Sequence, residues 1–187
     1  MAPNLGHGDL HKTPLTGAFV ESFMAGWREK LRRIIDDLLA GEGDLVLIGV
    51  GNPLRGDDGV GIEIARTIMR FLRSGRVKVL IVEDRVDLIP RMLRNVNPRI
   101  ILIFDAADFG GRSGEIRIMS PDEASGKTIS THEMPLDLML RLAEKNASAY
   151  VLGIQVETLE LGRGISPAVK AAAGEVASFL LNLLAGL

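Results

Sequence analysis

The chain has 187 residues, about one domain's worth. Apolar residues make up 47% and charged residues 25%, a globular balance that excludes a largely disordered chain. A net charge of −2 and only 6 Phe, 1 Trp and 1 Tyr argue against nucleic-acid binding, whether driven by charge or by base stacking.

The sequence contains no cysteine, which removes disulfide frameworks, thiolate zinc sites, iron–sulfur clusters and cysteine nucleophiles together. No run reaches the ~18 consecutive apolar residues of a membrane span, and no signal-peptide pattern opens the chain. The expectation is a cytoplasmic protein with no membrane insertion, monomeric by default.

Residues 1–17 mix Pro, Gly and His without periodicity and read as a mobile tail, in which His7 and His11 are solvated. Phe19, Phe23, Trp27, Leu31, Ile34, Ile35 and Leu38 then form the apolar stripe of a helix over 18–40, closing at Gly41. From residue 45 the pattern changes to short apolar runs alternating with helical ones. Strands are predicted at 45–50, 77–82, 100–104 and 150–154. Helices are predicted at 59–73 (Ile62, Ala65, Ile68, Met69 and Leu72 inward), 87–95, 135–146 and 166–185. Glu115–Met119 alternates and reads as an exposed edge strand. The fold implied is α/β in three αβα layers, with a five-stranded, mostly parallel twisted sheet and one antiparallel edge strand. Residues 1–43 form a tail and helical extension, and 44–187 a single αβα domain.

Ligands in such sheets bind beyond the carboxyl ends of the strands. The first candidate there is Gly49-Val50-Gly51-Asn52-Pro53-Leu54-Arg55-Gly56-Asp57-Asp58-Gly59-Val60-Gly61. A glycine-rich turn before a helix can cradle phosphate, but the spacing is not G-x-G-x-x-G and Asp57 and Asp58 would repel an anion. The two acids can cap the following helix or contact a metal or substrate, and both readings stand. The second candidate is Asp105, at the end of the buried run 100–104, where a carboxylate is costly without a partner or a cleft. The third is His132, the only histidine outside the tail, in a loop able to reach the same sheet edge. Asp58, Asp105 and His132 form an O, O, N set, in which imidazole favours nickel, zinc, iron or copper over magnesium or calcium.

There is no H-E-x-x-H and no G-x-S-x-G, and nothing recommends Ser130 or another serine for a triad. Nine cations (Arg66, Arg70, Arg73, Arg76, Lys78, Arg85, Arg91, Arg94, Arg99) against Glu83, Asp84 and Asp87 make 66–99 basic. The plain reading is a solvated stripe, the sharper one a docking surface for an acidic partner.

Four segments together resemble the maturation endopeptidases of nickel–iron hydrogenases. They are Gly51-Asn52-Pro53-Leu54-Arg55-Gly56-Asp57-Asp58-Gly59, Phe104-Asp105-Ala106, Thr131-His132-x-Met134-Pro135-Leu136 and Leu152-Gly153-Ile154-Gln155. The last two look like the subgroup serving hydrogen-evolving, membrane-associated hydrogenases. The resemblance implies removal of a C-terminal extension from a hydrogenase large-subunit precursor after nickel insertion. Asp58, Asp105 and His132 fall on the family's metal-contacting and catalytic positions, and Asn52, Asp57 and Asp84 are candidate substrate contacts. Nickel would arrive with the substrate, with zinc or cadmium able to replace it in a crystal. A second class is a non-cutting module that binds or escorts the loaded precursor. After the second strand the family carries an acid followed by small residues, whereas this chain has Glu83-Asp84-Arg85-Val86-Asp87, without a glycine to ease a tight turn.

Overall fold

A computed structural model describes residues 26–130 and 146–186. The tail with His7 and His11, the start of the first predicted helix, His132, and almost all of the predicted helix 135–146 lie outside the described residues.

Helix α1 (Trp27–Leu39) buries Leu31, Ile34, Ile35 and Leu38, the stripe expected of it. β1 (Asp44–Val50) follows, then a 3-10 turn (Gly56–Gly59) that runs into α2 (Val60–Phe71). β2 (Val77–Glu83) leads through a second 3-10 turn (Val86–Leu88) to the short α3 (Ile89–Leu93). β3 (Pro98–Ala107) is longer than the apolar run alone indicated, because the strand continues through Asp105 to Ala107. β4 (Ile116–Met119), α4 (Pro121–Ala124), β5 (Ser148–Gln155) and α5 (Pro167–Leu184) complete the described chain. The sequence reading passed over α4, although its signal is present: Ser120 and Glu123 form a capping box, each side chain bonding the other's backbone N–H.

The sheet order is β2-β1-β3-β5-β4, with β4 the antiparallel edge and every other pairing parallel. Its buried strands are rich in Val, Ile and Leu, as burial on both faces requires. One face carries a core in which α1, α2 and α5 meet β1, β3 and β5, and the other a smaller core reaching α3 and α4. Met69, expected inward, is 44% exposed; Ile64 is buried in its stead, because α2 turns Val60, Ile64 and Ile68 to the sheet.

Helix α5 has the length and hydropathy (1.2 over 18 residues) of a membrane span, but Val169, Val176, Leu180 and Leu184 on it belong to the main core. Three cations of the basic stretch are committed locally. Arg73 donates to the last carbonyls of α2. Arg76 donates to the Leu38, Gly41 and Gly43 carbonyls and Arg99 to Asp37, so both hold the C-terminal end of α1.

From β1 the chain passes to β2 on one side, and from β3 to β5 on the other. The carboxyl ends of β1 and β3 therefore flank the point where the sheet order reverses, the usual position of a ligand crevice in open α/β sheets.

Candidate active site

Asp58 and Asp105 both come to this end of the sheet, at the point where the strand order reverses. Asp58 follows β1 through the turn at Gly51, whose φ is +129° and where a Cβ would collide with the Asp58 carbonyl oxygen. Asn52 shapes the next turn, its Oδ1 accepting from Leu54 N–H at 2.9 Å. Asp105 lies in β3, paired across the ladder with Gly153 of β5.

Both carboxylates are buried, at 4% exposure for Asp58 and 1% for Asp105. Ser130 touches both. Its hydroxyl donates to Asp58 Oδ1 at 2.9 Å and its backbone N–H to Asp105 Oδ1 at 3.3 Å. Burial pushes the Asp58 carboxyl up from its ordinary range. The Ser130 hydroxyl, Arg55 (3.9 Å from Oδ2) and the Asn52 backbone N–H oppose that rise, and the negative charge of Asp84 adds to it. A buried carboxylate whose pKa is raised, at the carboxyl ends of parallel strands, is a mark of functional sites.

Asp57 is different. It is fully buried and accepts four hydrogen bonds, from Glu157 N–H (2.7 Å), Thr158 N–H (2.9 Å), Ser166 N–H (2.6 Å) and Ser166 Oγ–H (3.1 Å). Burial alone would raise its pKa, but these donors together hold it below the usual carboxylate value. With its oxygens so engaged, Asp57 ties the β1 loop to the segment between β5 and α5. Neither acid caps α2, which has Gly59 at its N-cap and no side-chain cap bond. Gly61 sits directly on the Phe104 carbonyl, so α2 packs closely on β3, and the buried Asp57 and Asp58 carboxylates in the turn before it disfavour a phosphate there.

Asn52 is half-buried with its Oδ1 in the turn, and Asp84 is exposed and close enough to Asp58 to influence it. Gln155, the last residue of the Leu152–Gln155 motif, is 5% exposed. It holds the loop after β3, accepting from Phe109 and Gly111 N–H and donating to Asp108. Sequence reasoning missed Ser130 as the bridge between the acids. The available signal was its place two residues before His132, in the loop already expected to reach this edge.

Among the described residues no three His, Asp or Glu side chains converge as a metal group. The described donor set is thus the two carboxylates on Ser130.

A family model described as hydrogenase maturation protease (HycI) matches residues 86–183, just over half of the chain. The chain belongs to the hydrogenase maturation protease family. It is accordingly a hydrolase, a peptidase. A Methanocaldococcus jannaschii protein assigned as a hydrogenase maturation protease is 29% identical over 163 residues, 82% of this chain and 96% of that one. The hydrogenase 3 maturation protease of Escherichia coli is 36% identical over 115 residues, covering 59% of this chain and 71% of its own. A crystal structure of a hydrogenase 3 maturation protease superposes with a TM-score of 0.62 at 32% identity, over 73% of this chain and 88% of that one. The HycI maturation protease of Thermococcus kodakarensis shares the fold, with a TM-score of 0.69 at 24% identity over 81% and 99% of the two chains.

Proposed function

We propose that this peptidase is an endopeptidase that removes the C-terminal extension of a nickel–iron hydrogenase large-subunit precursor once nickel is in place, the substrate-bound nickel being the recognition element. The observation that carries the reading is the meeting of Asp58 and Asp105 on Ser130 at the reversal point of the sheet, with His132 two residues further along the same segment. The names of the relatives support the maturation role.

The nickel belongs to the substrate in this scheme. A cysteine-free chain offering two carboxylates and one imidazole is a sparse donor set for holding such an ion alone, but a sufficient one for completing the coordination of an ion that the precursor already holds. Engaging it through Asp58, Asp105 and His132 fixes the adjoining peptide bond against the crevice. Water then adds to the carbonyl carbon, the C–N bond breaks, and the proton lost by the water ends on the departing nitrogen.

Intact-mass analysis of nickel-loaded and nickel-free precursor incubated with the protein tests this. The expected result is loss of one C-terminal peptide from the loaded sample alone, and no loss with His132→Ala. Cleavage of both samples alike would overturn the nickel gate. Stable complex formation without any mass change would make the chain a non-cutting escort.

A further inference from the structure

β2 is an edge of the sheet, paired only with β1 among the described residues. Leu45 N–H donates to the Arg76 carbonyl at 2.9 Å, and this bond sets the phase of the parallel ladder. Lys78, Leu80 and Val82 then turn their backbone groups to β1, and Val77, Val79 and Ile81 turn theirs to the open side. Natural edges are usually shortened, interrupted by proline or studded with charge. This one is seven residues long, has no proline, and carries one cation within it, Lys78, whose ammonium folds back on the Gly75 carbonyl at 2.8 Å.

The edge leads to the site. At its end Glu83 has a φ of 56°, Val82 C=O is diverted to Arg85 N–H (3.1 Å), and Glu83 C=O accepts from Gly51 N–H (3.0 Å). Gly51 lies directly against Asp58, and Asp84, the next residue along, is near enough for its charge to reach Asp58. At this end of the edge Arg66 of α2 pairs with Glu83 at 3.8 Å and Asp84 is exposed one residue on, so charges of both signs meet there.

We infer that the open edge of β2 takes up the precursor's C-terminal extension as a sixth strand, antiparallel to β2 and running from the Asp58 end of the sheet back toward Val77. The inference rests on the proposed function. Its geometry follows from where the cut falls: the folded, metal-bearing body lies on one side of the scissile bond, and only the free tail on the other side can lie along a strand edge. An added strand takes its affinity from main-chain hydrogen bonds, which suits a tail that is discarded. At about 3.3 Å per residue the edge accommodates roughly seven residues.

Hydrogen exchange on the full chain reads this directly. With nickel-loaded precursor added and exchange read before the peptide is released, the amides of Val79 and Ile81 should slow at least tenfold, and precursor lacking its extension should leave them unchanged. In parallel, Val79→Pro deletes an outward donor without a ladder bond. It should weaken precursor binding at least tenfold with a melting temperature within a few degrees of the parent. Unchanged exchange at Val79 and Ile81, or full-strength binding by a folded Val79→Pro variant, overturns the inference. Protection at those amides with the precursor left uncut would retain the docking edge and remove the peptidase reading.

Discussion

Asp57 gives both oxygens to the 157–166 segment, so its ionised form is the one the fold was built around. Asp58, one residue on, is held above the ordinary carboxylate range by its burial, with the charge of Asp84 adding to the rise. Their contributions to stability therefore have opposite pH dependence. The lowered pKa of Asp57 supplies stability that is complete above the unfolded-state value near 3.8 and is lost as pH falls through the folded value. The raised pKa of Asp58 does the reverse, withdrawing stability as pH rises from near 3.8 through its folded value. Asp57→Asn should cost about 2–3 kcal/mol at neutral pH, because an amide N–H₂ would face backbone N–H donors, and the penalty should shrink toward pH 3. Asp58→Asn should melt at or above the parent's temperature at pH 7 while failing to release the precursor's peptide. Urea titrations at pH 7 and pH 3, with the mass assay, check the pair. A neutral Asp57→Asn together with a destabilised Asp58→Asn would reverse the two assignments.

The turn after β2 is where element and sequence disagree most openly. Glu83-Asp84-Arg85-Val86-Asp87 contains no glycine, yet the chain turns left-handed there, at Glu83 (φ 56°), the only non-glycine with positive φ among the described residues. A side chain in that region costs about 1–3 kcal/mol. The bonds from Gly51 and Arg85 hold it, while the exposed Arg66–Glu83 pair at 3.8 Å adds little. Glu83→Gly relieves the strain, less roughly 0.5–1 kcal/mol for glycine's added freedom when unfolded. The expected gain is about 1 kcal/mol, or ~2–4 °C in melting temperature. Glu83→Val should instead lower the melting temperature, since a β-branched residue tolerates positive φ worst. Calorimetry of the two variants decides it, and a less stable Glu83→Gly would show that the turn is relaxed as it stands.

At the scale of the molecule, the layered architecture was legible because buried parallel strands leave unbroken apolar runs, and because Asp105 and the Asp57-Asp58 pair fall where such runs end. What could not be read was which acid faces the crevice. Capping, clamping and ligand contact all call for a carboxylate at a helix start, and only the donors from 157–166, about a hundred residues away, separate Asp57 from Asp58. The role of α1 was legible in outline, since its apolar stripe needs cover, but a helical stripe does not say what it covers. It covers the main core: Leu31, Ile34, Ile35 and Leu38 sit among residues of α2, α5 and the sheet. Trp27 meets Phe179 edge-to-face at 5.4 Å, and Arg76 and Arg99 hold the helix's last carbonyls. Burying four such side chains is worth about 1.5–3 kcal/mol each. The sum is comparable to the whole stability of an ordinary domain, roughly 5–15 kcal/mol. Removing residues 1–43 should therefore abolish cooperative unfolding rather than trim an appendage, and Ile35→Ala alone should cost about 2–5 kcal/mol. Thermal melts of 44–187 and of Ile35→Ala give the answer. A cooperative transition for 44–187 within a few degrees of the full chain would make α1 an attachment, free to act as a docking element instead.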